Sequence, residues 1–240
     1  DQLVAEPPQL VLALGTTEVV TELMTRVETR LPPAERPRYL FPDGGYVPQL
    51  SAFVAADQSL GARVRGTRPL LAGPTFEAFR KRYADSFRDG TAADSVGAAA
   101  AYDAFYLAAF AIAALGPGEV VDGPAIARGL GRLVPPGAPF PFGPESIAAA
   151  FDSLARGGNA DVDGASGPLD FDLASGEAPA GTLVWCPAPV GAGVGALPAP
   201  SGLSFEPVRG LIIGTLSPNC PNEPFAAPAQ RPPPPPTRAP

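Results

Sequence analysis

The chain has 240 residues, of which 45% are hydrophobic and 17% are charged, so it holds enough apolar material for one or two domains with a buried core. Its net charge of -7 excludes a strongly basic face, and we therefore predict no nucleic-acid partner. The chain contains no His, which excludes Ser-His-Asp and Cys-His catalysis and His-based zinc sites.

The first third of the chain alternates strand-like and helix-like segments. Residues 9–14 form an apolar run that ends at Gly15, which predicts a parallel strand covered on both faces. Residues 18–30 place apolar side chains at intervals of three and four, which predicts a helix. Residues 38–41 and 62–66 predict two further strands. This alternation predicts the α/β class with a doubly wound sheet.

The middle of the chain is predicted to be mainly helical. Aromatic residues recur at helical spacing after Gly73 and predict one amphipathic helix. Residues 96–115 predict a second, and residues 122–133 and 144–155 predict two shorter helices. The prolines of residues 135–141 predict a stiff, extended connection.

The segment 96–115 is about long enough to cross a bilayer. Most of its apolar residues are Ala, and it carries Asp103, which is costly in the middle of a membrane. We therefore predict no membrane span and a helix buried in a soluble domain, capped by Asp94 or Ser95.

The C-terminal third is predicted to be strand-rich before it becomes irregular. Residues 169–171 and 182–185 predict strands, and residues 203–205 and 211–213 predict a small hairpin. Residues 221–240 are Pro-rich and predict a disordered tail. The polyproline run within this tail is also a possible ligand for an aromatic groove in a partner.

The chain has two cysteines, Cys186 and Cys220. Both lie where strand-like segments end, which favours a disulfide formed in an oxidising compartment. Two buried free thiols are the alternative.

Two loops are candidates for a ligand site, because ligands of open α/β sheets bind beyond the carboxyl ends of the strands. The loop after the first strand carries Thr16 and Thr17 at the start of a helix. The loop after the second strand carries Asp43 and Tyr46. Local helix capping by the threonines and an Asp-Gly turn are the alternative roles.

No motif in the sequence indicates catalysis or a cofactor. The chain lacks a Walker-type phosphate loop, a dinucleotide-binding glycine motif and a nucleophile elbow. A partial calcium-loop pattern is present, but its first and last ligand positions and its flanking residues fit poorly, so we expect an Asp- and Gly-rich turn leading into a strand. The pattern consists of Asn159, Asp161, Asp163, Gly164 and Asp170. We predict no enzyme, no cofactor and no metal.

Several short motifs occur in the order found in one known family. They are Tyr102-Asp103-Ala104, Gly143-Pro144, Gly167-Pro168-Leu169-Asp170-Phe171-Asp172, Gly176-Glu177 and Val184-Trp185. In this respect the chain resembles the C-terminal half of type I periplasmic solute-binding proteins, which include the branched-chain amino-acid binders of ABC importers. The resemblance extends from about Gln9 to Trp185 and implies a fragment or a truncated member.

The resemblance implies a periplasmic-binding-protein type I-like fold that contains parts of two doubly wound, Rossmann-like lobes. Residues 1–68 are then part of the second lobe and residues 69–172 part of the first. Residues 173–220 are the return strands and the disulfide-tied hairpin, and residues 221–240 are the tail.

The family's function implies an extracytoplasmic component of an ABC importer that binds a small, amino-acid-like ligand between two lobes and docks on the transporter permease. By this resemblance, Asp43 pairs with the ligand ammonium group, Thr16 and Thr17 contact the ligand, and Tyr46 is a further ligand-binding candidate. The implied location is periplasmic or extracellular, with a lipid anchor on a missing N-terminus as one form. The alternative is a degenerate cell-envelope sensor or protein-interaction module that no longer binds solute.

Overall fold

The computed structural model describes residues 2–88, 92–188, 191, 196–218 and 220. The predicted disordered tail, residues 221–240, lies outside the described residues. The chain divides into two compact units. The first comprises residues 1–66, 186–199 and 216–240, and the second comprises residues 67–185 and 200–215. Assignment of either unit to a lobe of a solute-binding protein stays a prediction.

The first unit alternates strands and helices. Its elements are α1 (Gln2–Ala5), β1 (Leu10–Leu12), a π-helical segment (Val19–Met24) that continues into α2 (Thr25–Arg30), β2 (Arg38–Phe41), α3 (Pro48–Ala56) and β3 (Val64–Pro69), with 3-10 turns at Pro33–Glu35, Asp43–Gly45 and Gln58–Ala62. β1 pairs in parallel with β2, and β2 pairs in parallel with β3. The predicted strands and the helix between β1 and β2 are therefore confirmed.

One expectation for β1 is wrong. Val11 and Ala13 are buried, whereas Leu10, Leu12 and Leu14 are 50%, 59% and 69% exposed. Successive side chains of a strand point to opposite faces. Only one face of this segment is covered in the described part of the chain.

A buried ionic network joins three segments of the first unit. Glu28 on α2 is 5% exposed and pairs with both terminal nitrogens of Arg63, at 2.9 and 2.7 Å. The hydroxyl of Tyr39 on β2 donates to the same carboxylate at 2.8 Å. Burial, followed by the hydrogen bond to Glu28, raises the pKa of Tyr39. The buried charge is thus paired and hydrogen-bonded, as burial of an ion requires.

Among the residues that the structure describes, the second unit contains four helices and the remaining strands. Its elements are α4 (Pro74–Ser86), α5 (Ala98–Ala113), α6 (Gly123–Leu130), β4 (Ala138–Pro141), α7 (Ile147–Ala155), β5 (Ala160–Asp163), β6 (Thr182–Cys186), β7 (Ala199–Glu206) and β8 (Leu211–Gly214). β7 pairs antiparallel with β8, which confirms the hairpin. The protein is therefore mixed α/β, with parallel and antiparallel strand pairs.

A pair of short strands replaces two predicted irregular segments. β4, expected as an extended connection, pairs in parallel with β5, expected as a turn. The segment 169–171, expected as a strand, does not form one. Pro168 makes only an isolated antiparallel bridge to Asp163. Pro168 lacks an amide donor, so the segment begins with a residue that cannot donate to a strand ladder.

α5 is the central helix of the second unit. It begins at Ala98 after Gly97, whose φ of +83° suits glycine, so the predicted capping by Asp94 or Ser95 is wrong. Phe110 on α5 packs into a core that also contains Leu133, Phe142 and Leu154. Within the described ranges, no helix combines the length and apolarity needed to cross a membrane.

Candidate ligand-binding site

The loops that follow β1 and β2 touch each other. A Cβ atom added to Gly44 would lie 2.3 Å from the carbonyl oxygen of Gly15 and 3.5 Å from Cγ2 of Thr16. Real side chains do not approach a backbone oxygen so closely, so the contact requires glycine at position 44. The structure therefore brings together the two loops that the sequence singled out.

The first loop is organised by Glu18. The amide of Thr16 donates to Oε1 of Glu18 at 2.9 Å, and the hydroxyl of Thr16 donates to Oε2. These hydrogen bonds lower the pKa of Glu18, so its exposed carboxylate is ionised at neutral pH. The carbonyl of Thr17 accepts a hydrogen bond from the hydroxyl of Thr21 at 3.1 Å.

The start of the following helix is unusual. It opens as the π-helical segment Val19–Met24, and Glu18 at its N-cap makes no side-chain capping hydrogen bond. Thr16 therefore does not cap this helix with its side chain. Its hydroxyl contacts Glu18 instead. Short π-helical turns are rare and are frequent at functional sites.

The second loop is a 3-10 turn that leaves its acid exposed. Oδ1 of Asp43 accepts a hydrogen bond from the amide of Gly44 at 2.9 Å, and the Asp43 carbonyl accepts one from the amide of Tyr46 at 2.8 Å. Asp43 is exposed, and among the described residues it forms no ion pair. Tyr46 is only 3% exposed, so its ring lies in the core of the first unit, where it anchors the loop.

Together the two loops form a small acidic edge. The first loop carries the carboxylate of Glu18, which the Thr16 hydroxyl contacts, and the second carries the exposed carboxylate of Asp43. An ammonium or guanidinium group is the natural partner for such carboxylates, because charge-assisted hydrogen bonds are stronger than neutral ones.

The partial calcium-loop pattern does not form a loop. Asp161 and Asp163 lie on β5, and Oδ2 of Asp163 accepts a hydrogen bond from the hydroxyl of Thr75 at 2.5 Å. In the part of the chain that the structure describes, no group of three or more acidic or Cys side chains is arranged to hold a metal ion.

Cys186 and Cys220 form a disulfide with a Cα–Cα distance of 5.9 Å. Each residue is 1% exposed, so the bond is buried within the first unit. The alternative of two free thiols is therefore wrong. The bond encloses the chain segment that contains β7 and β8.

Sequence reasoning missed a groove on the second unit, between α5 and α6. Ala104 and Ala108 of α5 and Leu130 of α6 line it. The available signal was the spacing of two small residues one helical turn apart, which leaves a depression on a helix surface. In an Ala-rich helix this spacing does not single out a groove, because the high helix propensity of alanine also explains it.

Neither a protein-family model nor a curated protein sequence matches this chain.

Proposed function

We propose that this chain belongs to a solute-binding protein with a type I periplasmic-binding-protein-like fold, which captures a small amino-acid-like solute outside the cytoplasm for an ABC importer. The observation that carries the proposal is the contact of Gly44 with Gly15, which joins the two loops at the carboxyl ends of adjacent parallel strands. Ligands of α/β sheets bind at this position.

The proposed ligand contacts follow from the charges of the loops. Asp43 pairs with the ammonium group of the solute, and Glu18 adds a second negative charge. Thr16 and Thr17 provide polar groups on the neighbouring loop. Tyr46 supports the site from the core by fixing the turn that carries Asp43. The chain performs no chemistry on the solute in this proposal.

The proposed location is the periplasm or the cell exterior, with the transporter permease as partner. The disulfide between Cys186 and Cys220 supports this location. Such bonds persist in oxidising compartments and are rare in the cytosol of most organisms.

The test is thermal unfolding of the chain in the presence of amino acids, amides and small carboxylates. A ligand at 100 times its dissociation constant stabilises a protein by about 2.7 kcal/mol. We expect stabilisation by a small set of amines, and we expect Asp43→Asn to abolish it. Glu35→Gln, which removes an exposed carboxylate from another turn of the same unit, is the control and keeps the response. No response to any compound would contradict the proposal.

A second candidate is a cell-envelope sensor or protein-interaction module that no longer binds solute. The exposed stripe of Leu10 and Leu12 on β1 and Leu14 just after it favours this candidate, because contiguous exposed apolar residues mark interaction surfaces. Its test is the oligomeric state by analytical ultracentrifugation. A complex that Leu12→Ser dissociates, together with no solute response, would favour this candidate.

A further inference from the structure

The second unit carries a groove between α5 and α6 with a cavity volume of about 400 Å³. The close approach of Gly129 to Ala111 fixes the spacing of the two helices, since a Cβ on Gly129 would lie 2.2 Å from the Ala111 carbonyl oxygen. Ala104 and Ala108 are too small to fill the space beside this contact. The depression is thus built into the helix packing.

The lining of this groove is almost entirely apolar. Leu107, Ile126, Leu130, Phe171 and Leu173 are among its lining residues. Its volume lies within the roughly 300–1,000 Å³ of small-molecule sites, which are also mainly apolar. The groove is therefore suited to the hydrocarbon part of a small ligand.

A second, acidic depression of about 500 Å³ adjoins the groove. The two share Phe171 and Asp172, and Asp170 and Glu177 line the acidic one. Among the described residues, none of these three carboxylates forms an ion pair. The negative charge is therefore available to a ligand that occupies the apolar groove.

The turn that carries the shared acid is held by its own hydrogen bonds. Oδ1 of Asp172 accepts from the amide of Ala174 at 2.8 Å, and the amide of Asp172 donates to the Glu177 carbonyl at 2.8 Å. The carboxylate is thus fixed at the junction of the two depressions. Burial, followed by the charges of Asp170 and Asp163, raises the pKa of nearby Asp161, so the negative field extends along this surface.

We propose that this surface binds an amphiphilic organic cation, with its hydrocarbon body in the α5–α6 groove and its ammonium or guanidinium group against Asp172. The ligand is assigned a positive charge because that charge complements those of Asp170, Asp172 and Glu177. An anion of the same shape is repelled by the same residues, and a cation without a hydrocarbon body leaves the groove empty. This site is separate from the loops that carry Thr16 and Asp43, which belong to the first unit.

The first experiment compares three probes by isothermal titration calorimetry: octylammonium, octanoate and ethylammonium. We expect saturable binding of octylammonium alone, weakened by added salt because the charges are exposed. Equal binding of octanoate would overturn the proposal, since the groove would then select only for hydrocarbon. Absence of octylammonium binding would also overturn it.

Two variants with matched controls locate the binding. Ala108→Phe fills the groove from an exposed helix position and is expected to abolish octylammonium binding, whereas Ala101→Phe on the same helix lies outside the groove and leaves it intact. Asp172→Asn keeps the acceptor for the Ala174 amide but removes the charge. It is expected to weaken binding by about two- to fivefold, the usual range for an exposed charge pair. Asp152→Asn on α7 is its control.

Failure of the octylammonium site can be distinguished from failure of the proposed solute site on the loops that carry Thr16 and Asp43. Asp43→Asn is expected to leave octylammonium binding unchanged, and a loss in that variant would overturn the separate location. Sedimentation of the unliganded protein tests whether a second copy of the chain occupies the groove. A concentration-dependent dimer that Ala108→Phe abolishes would show that a second copy of the chain fills the groove, and would overturn the proposal.

Discussion

Oδ2 of Asp103 accepts hydrogen bonds from both the amide and the hydroxyl of Ser166, at 2.6 and 2.5 Å. Oδ1 accepts a third from the amide of Ala165 at 2.8 Å. Asp103 is 2% exposed and links α5 to the turn after β5. A Cβ on Gly164 would lie 2.4 Å from Oδ2, so only glycine admits this carboxylate. Asp103 is therefore a structural clamp of the second unit.

Replacing Asp103 removes this clamp. We expect Asp103→Asn to lower the free energy of unfolding by about 1–3 kcal/mol, because the amide nitrogen of Asn cannot accept from the donors that it then faces. The measurement is urea unfolding at neutral pH. Asp85→Asn, at an exposed position on α4, is the control and is expected to change stability by less than about 0.5 kcal/mol. Equal effects would contradict the assignment.

The same group is expected to make stability depend on pH. Burial holds the pKa of Asp103 above its ordinary value despite the opposing hydrogen bonds from Ser166 and Ala165. Between the unfolded and folded pKa values, the folded state keeps a proton that the unfolded state has released. The contribution of Asp103 is thus complete below its unfolded pKa and is lost as the pH rises through the folded pKa.

The check is unfolding of the wild-type protein and Asp103→Asn from about pH 3 to pH 8. The difference in unfolding free energy, wild type minus variant, is expected to fall with rising pH from about pH 4, near the ordinary Asp pKa. A difference that rises with pH would show that the hydrogen bonds outweigh burial.

The network around Glu28 predicts a larger loss of stability. Glu28→Ala leaves Arg63 without its bidentate partner and Tyr39 without its acceptor. Breaking a buried ion pair from one side costs about 3–5 kcal/mol. The exposed pair of Glu22 with Arg26 is the control, and Glu22→Ala is expected to cost less than about 1 kcal/mol. Chemical unfolding of both variants measures the difference.

A double variant distinguishes the loss of the Glu28–Arg63 attraction from the cost of leaving Arg63 buried without its partner. Replacing both Glu28 and Arg63 by Met is expected to cost less than Glu28→Ala alone, because Arg63 is then not left as a buried charge without its carboxylate, and Arg36 keeps Asp57 as a partner. A cost equal to or greater than that of the single variant would contradict this explanation.

Reduction of the disulfide is expected to destabilise the chain. Cys186 and Cys220 are 34 residues apart, and closing a loop of that length contributes about 4 kcal/mol in the chain-entropy description. The measurement is thermal unfolding with and without a phosphine reductant. A variant with both Cys186→Ser and Cys220→Ser is the control, and reductant is expected to leave it unchanged. Insensitivity of the wild type would contradict the prediction.

Gly44→Ala tests the contact between the two candidate loops. Its Cβ cannot coexist with the Gly15 carbonyl oxygen at the present spacing, so the loops must separate. We expect a loss of about 1–3 kcal/mol, as for overpacking elsewhere, and loss of any solute-induced stabilisation. Gly123→Ala, where nothing lies within 4 Å, is the control. Retention of full solute response by Gly44→Ala would contradict the proposed site.

Some elements of the fold could be predicted from local sequence patterns alone. β2 was predicted with its observed bounds, and the helix after β1 was predicted from apolar spacing. β4 and β5 were missed because a Pro-rich segment and an Asp-rich segment have low strand propensity. They become strands by pairing with each other, which no local pattern records.

Burial and contacts between loops were less predictable. The apolar run around Leu12 is the same whether one or both faces of a strand are covered, because coverage depends on elements elsewhere in the chain. The positions of Thr16 and Asp43 at strand ends could be predicted from topology. The contact of Gly15 with Gly44 could not, since it depends on the path of two backbones.

The two buried cysteines also restrict how the chain can be oxidised during production. With only Cys186 and Cys220 present, one intramolecular connectivity exists, so no scrambled monomer can form. The competing products are dimers and larger species joined between chains, and their formation depends on concentration. Dilute oxidative refolding therefore needs no isomerase to correct the pairing.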